Sequence, residues 1–108
     1  MAFTVLLTED AANDLRDLYT YISKHDSPQK AEYVLDQIEE KFVSLSELPE
    51  RGGYPAELLS VGIRDYREVF FKPYRIIYRI DNESVYVHLV ADGRRDMQTL
   101  LQRRMLGA

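Results

Sequence analysis

The chain has 108 residues, no cysteine, 45% hydrophobic and 30% charged residues, and a net charge of −4. That length supports one core and a single domain over residues 1–108, and the absence of cysteine excludes a disulfide framework, a thiolate nucleophile and a cysteine-based metal site. No apolar run approaches the roughly 20 residues of a membrane span, and the start MAFTVLLTED lacks a basic leader, so the cytoplasm is the expected compartment.

In chain order, Ala2–Leu7 is a short apolar strand candidate, after which Thr8 or Glu9 opens a helix with Glu9 and Asp10 at its positive end. Leu15, Leu18, Tyr19 and Ile22 recur at helical spacing and form one stripe. Asp26-Ser27-Pro28 stops that helix near His25 and starts another, with Ser27 as cap and Pro28 at the first helical position. The second helix places Ala31, Val34, Leu35, Ile38, Phe42 and Leu45 on one side and runs to about Leu48, before Pro49 and Gly52-Gly53. So short a connection makes the two helices an antiparallel hairpin.

Residues 49–63 read as an irregular link with one turn of helix at Ala56–Leu59. Three strands follow, Tyr66–Phe71, Tyr74–Ile80 and Ser84–Val90, separated by Lys72-Pro73 and Asp81-Asn82-Glu83. Asp96 caps a last helix, Met97–Met105, with Arg103 and Arg104 near its negative end and Leu100, Leu101 and Met105 as anchors. The predicted class is α+β in the order β-α-α-β-β-β-α, a mostly antiparallel sheet packed on a helical hairpin. Whether the first strand joins the sheet edge parallel or antiparallel is left open.

The strand period of two sorts the middle strand into Tyr74, Ile76, Tyr78 and Ile80 on one face and Arg75, Ile77 and Arg79 on the other. With Arg67 and His88 assigned to the arginine side, the sheet is expected to have a core face and a cationic face. Each arginine also has a plain reading, a side chain whose stem covers apolar surface. Charge is segregated along the chain: residues 1–50 hold 11 acidic and 4 basic side chains, residues 51–108 hold 7 and 10. The total argues against nonspecific nucleic-acid binding, while the cationic half suits an acidic partner. His88 is the one candidate general base in the sheet and has no second titratable partner at dyad spacing. No metal-ligand spacing and no phosphate loop occurs, so neither metal nor cofactor is inferred.

This order, with the helix around Ala11, Asp14, Leu15, Asp17, Leu18, Tyr19, Tyr21 and Ile22, the segment LPERGGYP, the YRIIY strand at Tyr74–Tyr78 and GRRDM at Gly93–Met97, resembles the RelE/ParE superfamily of type II toxin–antitoxin toxins. The resemblance covers almost the whole chain. Its ParE-like branch implies an inhibitor of DNA gyrase; its RelE-like branch implies a ribosome-dependent mRNA interferase, an endoribonuclease. Both imply a cognate antitoxin, ParD-like or another small antitoxin, whose acidic amphipathic segment folds on the toxin in a hetero-oligomer away from any membrane.

RNA cleavage by 2′-hydroxyl attack needs a base, an acid and cations for the phosphate. On the ribonuclease pattern Arg67, Arg75 and Arg95 fall where basic residues are expected, with His88 as the remaining proton-transfer residue. Val69 stands where a strand lysine is expected, and Leu100 or Leu101 where a C-terminal tyrosine would stand. The ending resembles the ParE branch better. In that branch Arg75, Arg79, Arg94, Arg95, Arg103 and Arg104 are the expected target-binding residues, with Arg103 and Arg104 facing outward.

Overall fold

The structure, a computed structural model, describes residues 2–107. Its elements are β1 (Thr4–Leu7), α1 (Glu9–His25), α2 (Pro28–Glu47), α3 (Ala56–Leu59), β2 (Arg67–Phe71), β3 (Tyr74–Asp81), β4 (Ser84–Asp92) and α4 (Met97–Leu106). Helix starts follow the expected chemistry. The Thr8 hydroxyl accepts from Ala11 N–H, the Ser27 hydroxyl from Lys30 N–H ahead of Pro28, and the Asp96 carboxylate from Thr99 N–H. Gly107 closes α4 in the left-handed region at φ 69°, a conformation that costs glycine no Cβ clash.

The sheet has the order β1-β4-β3-β2. β2, β3 and β4 form an antiparallel meander, and β1 lies parallel to β4 with Leu7 opposite Val87, which settles the open orientation. One face carries Val69, Ile76, Tyr78, Val85, Val87 and Val90 against the hairpin residues Ala11, Ile22, Ala31, Val34, Ile38 and Leu45. The helical stripes therefore do what their spacing requires.

The other face is not the open cationic surface that strand alternation implied. Ile77, Leu89 and Ala91 are buried there under Leu58 of α3 and Met97, Leu100 and Leu101 of α4, forming a second apolar cluster. Burying so many aliphatic side chains at about 1.5–3 kcal/mol each outweighs keeping that face open for its arginines. Met105 packs on the same cluster, as its place in the α4 stripe predicts.

Arg67 is also on the other side from its expected place. It pairs with Tyr78, so the two share the hairpin face, whereas Arg75 pairs with Phe70 and Ala91 on the α4 face. Between Ile77 and Tyr78 the β3–β4 register shifts, with Ile77 opposite Leu89 and Tyr78 opposite Val87. His88 is thus the extra residue of a β-bulge.

Candidate functional site

Each arginine named from sequence has a definite place. Arg75 is held by two carboxylates. Its Nη1 and Nη2 bond the two oxygens of Glu57 at 2.7 and 2.8 Å, while Nε and Nη2 bond Glu68 Oε1 at 2.9 and 2.6 Å. Only 12% of its side chain is exposed. Gly93 seals the top, since a Cβ there would lie 2.8 Å from Arg75 Cδ. The Glu57 hydrogen bonds raise the guanidinium pKa further. The same bonds lower that of Glu57, while burial pushes Glu68 up despite Arg75. A planar guanidinium gripped by two carboxylates has its charge neutralised, so Arg75 is a structural ion-pair centre and not the free phosphate or target cation expected.

Arg104 is likewise engaged, where an outward-facing residue was expected. Its guanidinium donates to the Asp14 carboxylate and, at 3.0 Å, to the His88 carbonyl. Asp14 Oδ2 accepts Val90 N–H at 3.0 Å, and burial raises the Asp14 pKa against the opposing pull of Val90 N–H and Arg104. Arg67 donates to the carbonyls of Gly52 at 2.8 Å and Glu50 at 3.3 Å and lies over the Tyr54 ring. It pins the link after α2 and does not join Arg75 or His88.

His88 is half-buried with its ring edge-on to Tyr66, centroids 5.4 Å apart. Burial and then the nearby Arg79 charge lower its pKa, so its imidazole is neutral near pH 7. No carboxylate orients it among the described residues. Of the arginines expected to bind a target, Arg79, Arg94, Arg95 and Arg103 are exposed. Arg94 forms an ion pair with Asp92 at 2.6 Å yet remains 78% exposed. That hydrogen bond is the main reason the Asp92 pKa lies below the ordinary carboxylate range.

Sequence reasoning pairs Asp92 with an adjacent arginine, as found for Arg94, but missed Glu57, Glu68 and Asp14 as partners of the others. Two grooves lie between the helical hairpin and the sheet, the place where the resemblance implies an antitoxin segment. One, of about 440 Å³, lies between α1 and the end of β4, bounded by Asp17, Leu18, Tyr21, Tyr74, Arg94 and Arg95. The other, of about 520 Å³, runs beside β1 and is lined by Phe3, Val5, Leu7, Leu15, Phe42 and Val43 among others. Leu6 and Leu7 of β1 are 41% and 40% exposed, and Val43 of α2 is 64% exposed. Among the described residues no group of three metal-ligating side chains converges, and no helix is long and apolar enough to cross a membrane.

Known toxins resemble this chain along most of its length. It is 26% identical over 100 residues to Toxin ParE3 of Caulobacter vibrioides, covering 93% of this chain and 96% of the relative. Its fold matches the chromosomal ParDE toxin–antitoxin system from P. aeruginosa at a TM-score of 0.70, with 19% identity over 84% of this chain and 96% of that one. A mutant of E. coli toxin RelE in the free state matches at 0.62, with 19% identity and 93% of each chain covered. The toxin–antitoxin complex RelBE2 from Mycobacterium tuberculosis matches at 0.56, with 28% identity over 85% of this chain and 92% of that one. Residues 5–97 match the family model described as the ParE toxin of the type II toxin–antitoxin system parDE. The chain, with its α+β RelE/ParE-like fold, belongs to the ParE toxin family of type II toxin–antitoxin systems.

Proposed function

We propose that this toxin inhibits DNA gyrase and is neutralised by a cognate antitoxin, and that it does not cleave RNA. The observation that carries the choice is the state of Arg75. RNA cleavage needs a cation free to meet the phosphate close to a proton-transfer group. Here the central strand arginine is held by Glu57 and Glu68, and Arg67 is on the opposite face of the sheet. His88 packs against Tyr66 with no orienting carboxylate, and the exposed Arg79 beside it lacks the second cation that Arg75 or Arg67 would have supplied. A surface that recognises a large partner needs only exposed groups, and Arg79, Arg94, Arg95 and Arg103 supply them around α4 and the strand ends.

The antitoxin reading rests on the apolar groove beside β1 and the unpaired outer edge of that strand. Together they suit an amphipathic segment that folds as it binds. The deciding experiment measures gyrase supercoiling by the purified toxin in parallel with primer extension on translated messenger. Loss of supercoiling, or a trapped cleaved complex, with intact messenger is expected. A-site cuts without any effect on gyrase would replace this reading by the mRNA interferase one. Relief of growth arrest on co-expression of the antitoxin tests the second half.

A further inference from the structure

Strand β1 stops at Leu7, opposite Val87, but β4 continues to Asp92 with no strand on its outer side. Backbone direction along this overhang follows from its bonds. Gly93 N–H donates inward to Pro73 O at 2.7 Å, so alternation turns the Val90 and Asp92 backbone groups outward. Two of these are used: Val90 N–H bonds Asp14 Oδ2, and the Asp92 carbonyl accepts Arg95 N–H at 3.1 Å. The Val90 carbonyl and the Asp92 N–H have neither a backbone nor a side-chain partner among the described residues. They border the 440 Å³ groove between β4 and α1.

A donor and an acceptor spaced along one strand edge are the complement of another extended backbone. The groove adds an apolar wall, Leu18 and Tyr21 of α1 with Tyr74 of β3. Its charges then define what surrounds that backbone. Asp14 is engaged by Arg104 and Asp92 by Arg94, which leaves Asp17 on the α1 side and Arg95 on the other. With one carboxylate and one guanidinium left over, the groove lacks the cationic surplus that a nucleic-acid backbone requires.

We propose that this groove binds an extended segment of a partner protein, which pairs with the Val90 carbonyl and Asp92 N–H and so continues the sheet where β1 ends. Its apolar residue rests on Leu18, Tyr21 and Tyr74, a basic residue lies by Asp17 and an acidic one by Arg95. The site is separate from the apolar groove beside β1 and does not depend on gyrase being the target.

The test titrates the full ¹⁵N-labelled chain with a blocked peptide, lysine-valine-leucine-glutamate, followed by NMR. The same peptide with lysine in place of glutamate and adenosine monophosphate serve as comparison ligands. The expected result is a shift and slowed exchange of the Asp92 amide. The glutamate peptide should bind roughly two- to fivefold tighter than its lysine counterpart, with the preference reversed in Arg95→Glu. Arg95 is exposed, so that variant keeps its fold. No response at Asp92, shifts confined to Leu6 and Leu7, equal affinity for the two peptides, or the same response to the nucleotide would each overturn the proposal.

Discussion

Asp14 and Arg104, ninety positions apart in sequence, form an ion pair that takes over the work of β1 at the edge of β4. Beyond Leu7, the Val90 N–H is satisfied by Asp14 and the His88 carbonyl by Arg104. One pair of side chains thus joins the first helix, the central strand and the last helix. Arg104→Ala leaves a partly buried carboxylate without its counter-charge and should cost about 2–3 kcal/mol. Arg103→Ala on the exposed side of the same helix should cost within about 0.5 kcal/mol. Urea unfolding of both variants checks this, and equal midpoints would remove the pair from the account.

The link after α2 depends on one glycine and not on its neighbour. At Gly52 a Cβ would lie 2.4 Å from the Glu68 carbonyl oxygen and 2.7 Å from the Tyr78 hydroxyl, whereas at Gly53 it would meet nothing within 4 Å. Gly52 N–H also donates to that hydroxyl at 3.1 Å, and Tyr78 donates in turn to Pro49 O at 2.7 Å. Gly52→Ala should therefore cost about 1–3 kcal/mol, as overpacking of a filled site does. Gly53→Ala should be nearly silent. Thermal melts of the two variants decide it.

The two carboxylates on Arg75 should titrate on opposite sides of the ordinary glutamate value of 4.5. Glu57, lowered by its bonds to Arg75, contributes stability that is present above 4.5 and lost as the pH falls through its folded value. Glu68, raised by burial, has the reverse sign: its contribution is present below 4.5 and lost as the pH rises through its folded value. Glu57→Gln should flatten the acid limb of the stability curve below 4.5, and Glu68→Gln should remove an opposing slope just above it. Carboxyl carbon NMR gives the order directly, and Glu68 titrating before Glu57 on raising the pH would contradict this account.

Much of the fold was legible because local chemistry and burial agree. Ser27-Pro28 and Asp96 mark helix starts, and the stripes from Leu15 to Ile22 and from Ala31 to Leu45 face the core that their spacing predicts. The candidate site was less legible because its determinants lie between elements. Alternation put Arg75 and Arg79 on one face correctly, but only the β2–β3 register shows that Arg67 is on the other. The bulge at His88 follows from pairing as well. Sequence displays Arg75 and Glu57 as two charges 18 positions apart and gives no sign that they meet. A covered face and an open one read alike until α3 and α4 are placed.

The arginines that engage the target should be those the fold leaves free, and this separates two mutants that sequence alone would treat as equal. Arg75→Ala would strand Glu57 and Glu68 as adjacent, largely buried carboxylates, at a cost of about 3–5 kcal/mol. Any loss of toxicity would then reflect unfolding. Arg95→Glu combined with Arg103→Glu changes only exposed groups and should alter stability by no more than about 1 kcal/mol. Like charge set against a complementary surface costs several kcal/mol at an interface, so inhibition of supercoiling should weaken by at least about tenfold. The comparison is made at equal concentrations of folded protein, verified by circular dichroism and unfolding midpoints. If the double variant inhibits as well as the parent, α4 and the turn before it lie outside the recognition surface, and Arg79 and Arg94 become the residues to reverse next.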